Sequence, residues 1–159
     1  MDPMTPLKRE VDFSNFLKAI TRTGTPAYLP FYEHIASSGF IAARTGTKFD
    51  QMSMDDPGYW EIYVNFWLGM GYDCIPMEIP LNCPLPSAHD GALSEESEAK
   101  VVIRSREDYE TYAWPTEQDP IDFRHFETVA KLLPAGIKIV GGVAAGPYEW
   151  TSMMVGTIG

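Results

Sequence analysis

The chain is poor in the residues that carry most nucleophilic and metal chemistry, with three histidines and two cysteines among 159 residues. Cys74 and Cys83 are too few for a disulfide framework and suit a reducing compartment. Eight residues separate them and no histidine stands beside them, which is no zinc spacing. Cys74 reads instead as a small buried apolar residue. Positive charge is scarce too: 12 Lys and Arg against 22 Asp and Glu give a net charge of -10. A nucleic-acid surface needs clustered Lys and Arg to displace counterions, and no such cluster occurs, so a nucleic-acid partner is not expected. No apolar run approaches the ~20 residues that cross a bilayer. The start, "MDPMTPLKREVDF", lacks the basic and apolar segments of a signal peptide. The expectation is a cytoplasmic protein without a membrane partner.

What is present is a globular composition, 45% apolar and 13% aromatic, sufficient for one sizeable core at this length. Helix and strand signals alternate along it. Thr5 and Pro6 read as N-cap and first position of a helix within residues 1–24. Leu7, Val11, Phe13, Phe16, Leu17 and Ile20 follow at helical spacing, and Gly24 closes the segment. "AYLPFY" (27–32) reads as a strand end weakened by Pro30, and "EHIASSGFIAARTG" as a broken helix. Asp56 and Pro57 open a helix with Trp60, Tyr63, Val64, Trp67 and Leu68 as its stripe, stopped by Gly69 and Gly71. "YDCIPMEI" then reads as a buried strand.

Residues 80–105 form a surface excursion, proline-rich and acidic, that ends in a brief strand, "KVVIRS". Ser105 to Asp108 starts a short helix. Asp119 and Pro120 open another, with Phe123, Phe126, Val129, Ala130 and Leu133 on one face and Pro134 and Gly136 as stops. Residues 136–159 give a further strand, "IKIVGGV", and the start of the next helix at Pro147. Such alternation argues for parallel β/α architecture.

In parallel β/α folds, ligands meet the carboxyl ends of the strands. That points to Tyr32 and His34 after the first strand, Glu78 after the second, and Gly146, Tyr148, Glu149 and Trp150 after the last. Glu78 follows an apolar strand, where a carboxylate needs a reason. His34 is a proton donor or ligand, or else a hydrogen-bonded structural residue. Gly141 and Gly142 let the backbone approach a ligand, or relieve packing. His89 reads as solvated and His125 as lying on an exposed helix face. Met153 and Met154 read as packing residues.

"KIVGGVAAGPYEWTSMMVG" resembles the strand-loop-helix segment in the first half of the uroporphyrinogen decarboxylase superfamily, with its Gly-x-Pro before an aromatic, Met-rich helix. "MTPLKREVDFSNFLKAI" resembles that family's opening helix, and "WEIYVNFWLGMGYDCIPMEI" its helix and second barrel strand. "IRSREDYETYAWPTEQDPIDFRHFETVAKLL" resembles the linker that passes a Trp-Pro into the next helix. The resemblance implies a (β/α)8 TIM barrel, a fold that takes about 250 residues. The chain, a single partial barrel domain over 1–159, would then be the N-terminal part, truncated after about three strands. Open strand edges would favour self-association. The other reading is a complete, smaller α/β domain.

The resemblance implies two reactions. One is cofactor-free decarboxylation of the acetate arms of uroporphyrinogen, a step of porphyrin biosynthesis. The other is methyl transfer between a small donor and a corrinoid carried by a partner protein, often with zinc. The decarboxylases follow the first strand with Arg-Gln-Ala-Gly-Arg, whose planar forks hold substrate carboxylates. Here the region reads "PFYEHIASSGF", with no arginine before Arg44. Glu33, Glu78 and Glu149 would repel a polycarboxylate. Glu78 matches an aspartate that binds pyrrole nitrogens in the decarboxylases, one methylene longer.

The expectation is therefore a methyltransferase-type member. Glu78 and His34 are its catalytic candidates, and Tyr32, Gly146, Tyr148, Glu149 and Trp150 its small-molecule substrate-binding candidates. The family's zinc ligands, a His-x-Cys and a later Cys, belong to the second half of the barrel, so no metal ligand or cofactor is expected in this chain. Zinc and the partner-borne corrinoid would belong to the longer protein, and this chain alone would be inactive. The alternatives are a genuine uroporphyrinogen decarboxylase and a non-catalytic fragment or interaction module.

Overall fold

A computed structural model describes residues 9–79, 83–84, 101–119, 121–144 and 146–156. The Thr5–Pro6 helix start, most of the acidic excursion with His89, and Pro120 lie outside the described residues. The chain divides into two compact units, residues 1–78 with 122–142 and residues 79–121 with 143–159. The architecture is mixed α/β. Strands β1 (Cys74–Ile79) and β2 (Lys138–Val143) pair as a two-stranded parallel sheet.

The first unit contains α1 (Phe13–Thr21), α2 (Ser38–Thr45), α3 (Tyr59–Gly69) and α5 (Arg124–Leu132). Asp12 caps α1, its carboxylate accepting from the Ser14 N–H at 2.8 Å. Arg22, at φ 56°, closes that helix in place of the expected Gly24. Its apolar stripe is only partly covered, since Leu17 and Ile20 are exposed. Ser37 caps α2, so the ambiguous stretch folds as one helix from Ser38.

The third helix, α3, starts at Tyr59, later than Asp56–Pro57 suggests. Asp56 closes a turn by accepting the Ser53 N–H at 2.8 Å, and Gly58 reverses the chain at φ 84°. Only a residue without a Cβ takes that φ without strain. Helix α5 likewise starts at Arg124, because Asp119 is engaged with the Thr116 N–H in a preceding turn. Phe123 and Ala130 stay exposed, and Val129 is the residue α5 buries completely.

The core forms where α2, α3 and α5 cover β1. Cys74, Ile75, Pro76 and Met77 are buried in succession. Ile75 and Met77 join Ile41, Phe49, Val64, Phe66, Trp67, Val129 and Ile137 in one apolar cluster. Burying each large side chain of this kind is worth ~1.5–3 kcal/mol. The Pro76 carbonyl accepts the Tyr63 hydroxyl at 2.8 Å, which ties the strand to α3.

No strand forms at Ala27–Tyr32, contrary to expectation. Pro26 and Pro30 have no N–H for a ladder. The Ala27 N–H goes instead to the Asn15 side-chain oxygen at 2.9 Å.

Just before β1, Asp73 is fully buried. Its Oδ1 accepts from the Asp12 N–H at 2.8 Å and from the Tyr28 hydroxyl. The Arg9 guanidinium stands 3.9 Å from Oδ2 and donates to the Gly71 carbonyl. It also lies over the Tyr28 and Phe31 rings, 4.1 and 4.4 Å from their centroids. A buried carboxylate survives only when donors and counter-charge replace water. Tyr28→Phe should therefore cost about 1–3 kcal/mol, read as a lower urea midpoint. A midpoint equal to the parent's would show that the hydroxyl does not hold Asp73.

The second unit contains α4 (Arg106–Thr111) and α6 (Pro147–Val155). Ser105 caps α4 by accepting the Asp108 N–H at 3.1 Å, as its Ser-x-x-Asp pattern suggests. The expected strand at "KVVIRS" is absent from residues 101–105. The N–H groups of Val102 and Ile103 both donate to the Met154 carbonyl, at 3.0 and 2.9 Å. Those donors satisfy the open end of α6 and leave none for a ladder.

Candidate functional site

The sequence candidates fall into two groups, Tyr32, His34 and Glu78 in the first unit and Gly146, Tyr148, Glu149 and Trp150 in the second; since no strand forms before them, Tyr32 and His34 are loop residues rather than strand-end ones. In the first unit, Glu78 is the first exposed residue of β1 after four buried ones. Tyr32 is 48% exposed and rests against the Phe16 ring, 5.7 Å between centroids. Burial pushes the Tyr32 phenol above its ordinary pKa, and Cys74, Glu78 and Glu33 push it further. Tyr63 is pushed up to about 12, first by burial and then by Tyr59, Glu78 and Tyr32. Glu78 is thus a carboxylate within electrostatic reach of two phenols that stay protonated at neutral pH.

His34 is exposed, and its contacts are with its neighbour. Glu33 Oε1 accepts the His34 backbone N–H at 2.9 Å and lies 3.0 Å from its Nδ1. Those two bonds hold the Glu33 carboxyl below its ordinary range. The pair forms a local hydrogen-bonded couple.

In the second unit, Pro147 opens α6 at its first position, as expected. The Gly146 N–H donates to the Glu149 carboxylate, which folds back to cap the helix. The Trp150 indole N–H donates to the Ala144 carbonyl at 2.8 Å. Glu149 and Trp150 thus fix the turn that leads into α6, while Tyr148 is 76% exposed. Met154 is buried, as its packing role requires, and Met153 is 37% exposed. For Gly141 the packing role prevails. A Cβ there would stand 3.1 Å from the Phe126 ring, so the absent side chain makes room for Phe126.

His125 is a correction to the sequence reading, for it does not lie on an exposed face. Its side chain is 25% exposed and lines a groove of about 390 Å³ in the first unit, with Asp55, Asp56, Trp60, Glu61 and Arg124. The Trp60 indole N–H donates to His125 Nδ1 at 3.1 Å. The signal was present in the spacing. His125 precedes the fully buried Val129 by one helical turn, which puts both on one side of α5.

Cys74 is buried, and its thiol is pushed up to about 11, first by burial and then by Asp73. The folded chain therefore keeps Cys74 and Tyr63 protonated at pH values where the unfolded chain ionises them. For both, stability is full below the unfolded pKa and is lost as pH rises. Urea midpoints should accordingly fall between the ordinary thiol value and about 12, Cys74 acting first and Tyr63 last. Cys74→Ala should remove the lower part of that fall, and an unaltered pH profile would contradict it.

Among the described residues, no group of three or more His, Cys, Asp and Glu side chains is placed to hold a metal ion. Nor is any described helix long and apolar enough to cross a membrane. No family model matches the chain, and no curated protein or solved structure matches it.

Proposed function

We propose that the chain is the N-terminal part of a (β/α)8 barrel protein like uroporphyrinogen decarboxylase, and that this protein transfers a methyl group between a small donor and a corrinoid on a partner protein. The observation that carries the reading is Glu78, an exposed carboxylate at the carboxyl end of a buried parallel strand, with protonated phenols around it. The helices α3 and α5 that run into β1 and β2, and α6 after β2, fit the β/α order of such a barrel.

In this reading the Glu78 carboxylate accepts a hydrogen bond from the donor molecule or faces its positive charge. Tyr32 supplies an apolar wall with a hydroxyl at its edge, and the Glu33–His34 couple supplies a proton relay. Gly146, Tyr148, Glu149 and Trp150 shape the other strand-end loop. The corrinoid, when bound, provides the cobalt that exchanges the methyl group.

Decarboxylation is the second reading, supported by the carboxylate that Glu78 keeps at the pyrrole-binding position. Glu33 and Glu78 argue against it, because uroporphyrinogen is itself a polycarboxylate. The test uses the barrel protein containing this chain. It is incubated with reduced cobalamin and a panel of small methyl donors, and in parallel with uroporphyrinogen. Methylcobalamin formation supports the proposal, while coproporphyrinogen formation without methyl transfer overturns it.

A further inference from the structure

The groove beside α3 and α5 contains one side chain–side chain hydrogen bond between those helices among the described residues, Trp60 to His125. An indole N–H only donates, so Nδ1 of His125 must be the acceptor and carry no proton. The neutral ring then holds its proton on Nε2, which stands 4.0 Å from Asp55 Oδ1. The rings are 5.1 Å apart at their centroids and tilted by 38°.

Protonating His125 places a second N–H on the nitrogen that faces the indole N–H. Two donors cannot share that contact. The imidazolium has a ready alternative in Asp55, whose carboxylate is otherwise exposed. Several charged groups stand around the ring. Asp55 and Asp56 lie in the turn before α3, Glu61 on its first turn, and Asp122 and Arg124 at the start of α5. Arg124, the cation among them, is held by Asp122 through contacts of 2.7 to 3.0 Å. The Asp122 carboxyl is held down at about 2, chiefly by those hydrogen bonds, so it stays an anion well into acid pH.

We propose that Trp60 and His125 form a protonation-controlled latch between α3 and α5, in which the neutral ring holds the Trp60 indole through Nδ1 and the protonated ring releases it to pair with Asp55. The latch uses none of the residues assigned to the proposed methyl transfer and does not depend on that reading. Its consequence is a groove that changes its lining with pH, from a bridged Trp–His wall to an ion pair with a free indole N–H.

Nitrogen NMR of the whole chain through a pH titration tests this. The neutral His125 ring should show the Nε2–H tautomer, and the Trp60 indole N–H resonance should lose its hydrogen-bonded shift with the same midpoint as the His125 ring. Trp60→Phe keeps the aromatic wall and should remove the tautomer preference. Asp55→Asn should leave that preference intact while weakening the pairing of the protonated ring. An Nδ1–H tautomer in the neutral ring, or a Trp60 indole that ignores the His125 titration, would overturn the latch.

Discussion

Trp67→Ala should lower the chain's stability by about 3–5 kcal/mol, the cost of deleting a large aromatic side chain from a packed core. Trp67 is 1% exposed. Its ring stands edge-on to Phe66, Tyr72 and Tyr63, with centroids 5.1, 4.8 and 6.0 Å away. Such edge-to-face pairs add to burial because the positive edge of one ring meets the negative face of the next. Alanine would leave a void lined by three other rings that cannot all move into it. Trp67→Phe preserves most of the packing and should cost less. Urea unfolding followed by circular dichroism reads both variants, and a loss below about 1 kcal/mol for alanine would show that α3 does not anchor the core.

The same residues show why some of the fold could be read from sequence. Trp67 belongs to a stripe at helical spacing, and the run from Cys74 to Met77 is continuously apolar, so α3 and β1 are specified locally. Ser105 and Pro147 are residues whose own chemistry fixes a helix start, and both behave accordingly. The misreadings have a common cause in backbone donors taken by partners outside the expected strand or helix ladder. Val102 and Ile103 look like strand residues until their N–H groups are found on Met154, about 50 positions later. Ala27 gives its N–H to Asn15, and Asp56 closes a turn that displaces the helix start.

The candidate site was legible to the extent that strand ends were. Glu78 emerges where the apolar run stops, which a sequence shows directly. The local roles of Glu149 and Trp150 in the turn before α6 depend on side chains folding back on their own loop, and no pattern of residue types announces that. His125 was misplaced for a different reason. A histidine at the first turn of a polar helix looks solvated unless the indole that meets it, 65 positions earlier, is already in view.

Under the proposed function, Glu78→Gln carries the largest consequence for activity. It keeps the size and hydrogen-bonding reach of the side chain and removes the charge, in a strand whose other core residues are untouched. A hydrogen bond to a charged group is worth about 1.5–3 kcal/mol, so turnover of the bound donor should fall up to about 100-fold. Because Glu78 is exposed, the substitution should leave the urea midpoint unchanged, which separates a site effect from a folding effect. For the proposed reaction, the decisive measurement is the rate of methyl transfer to reduced cobalamin by the barrel protein proposed to contain this chain, wild type against Glu78→Gln, at saturating donor. The account predicts a large loss of rate in a fully folded variant; equal rates would contradict the assignment of the β1 strand end as the site.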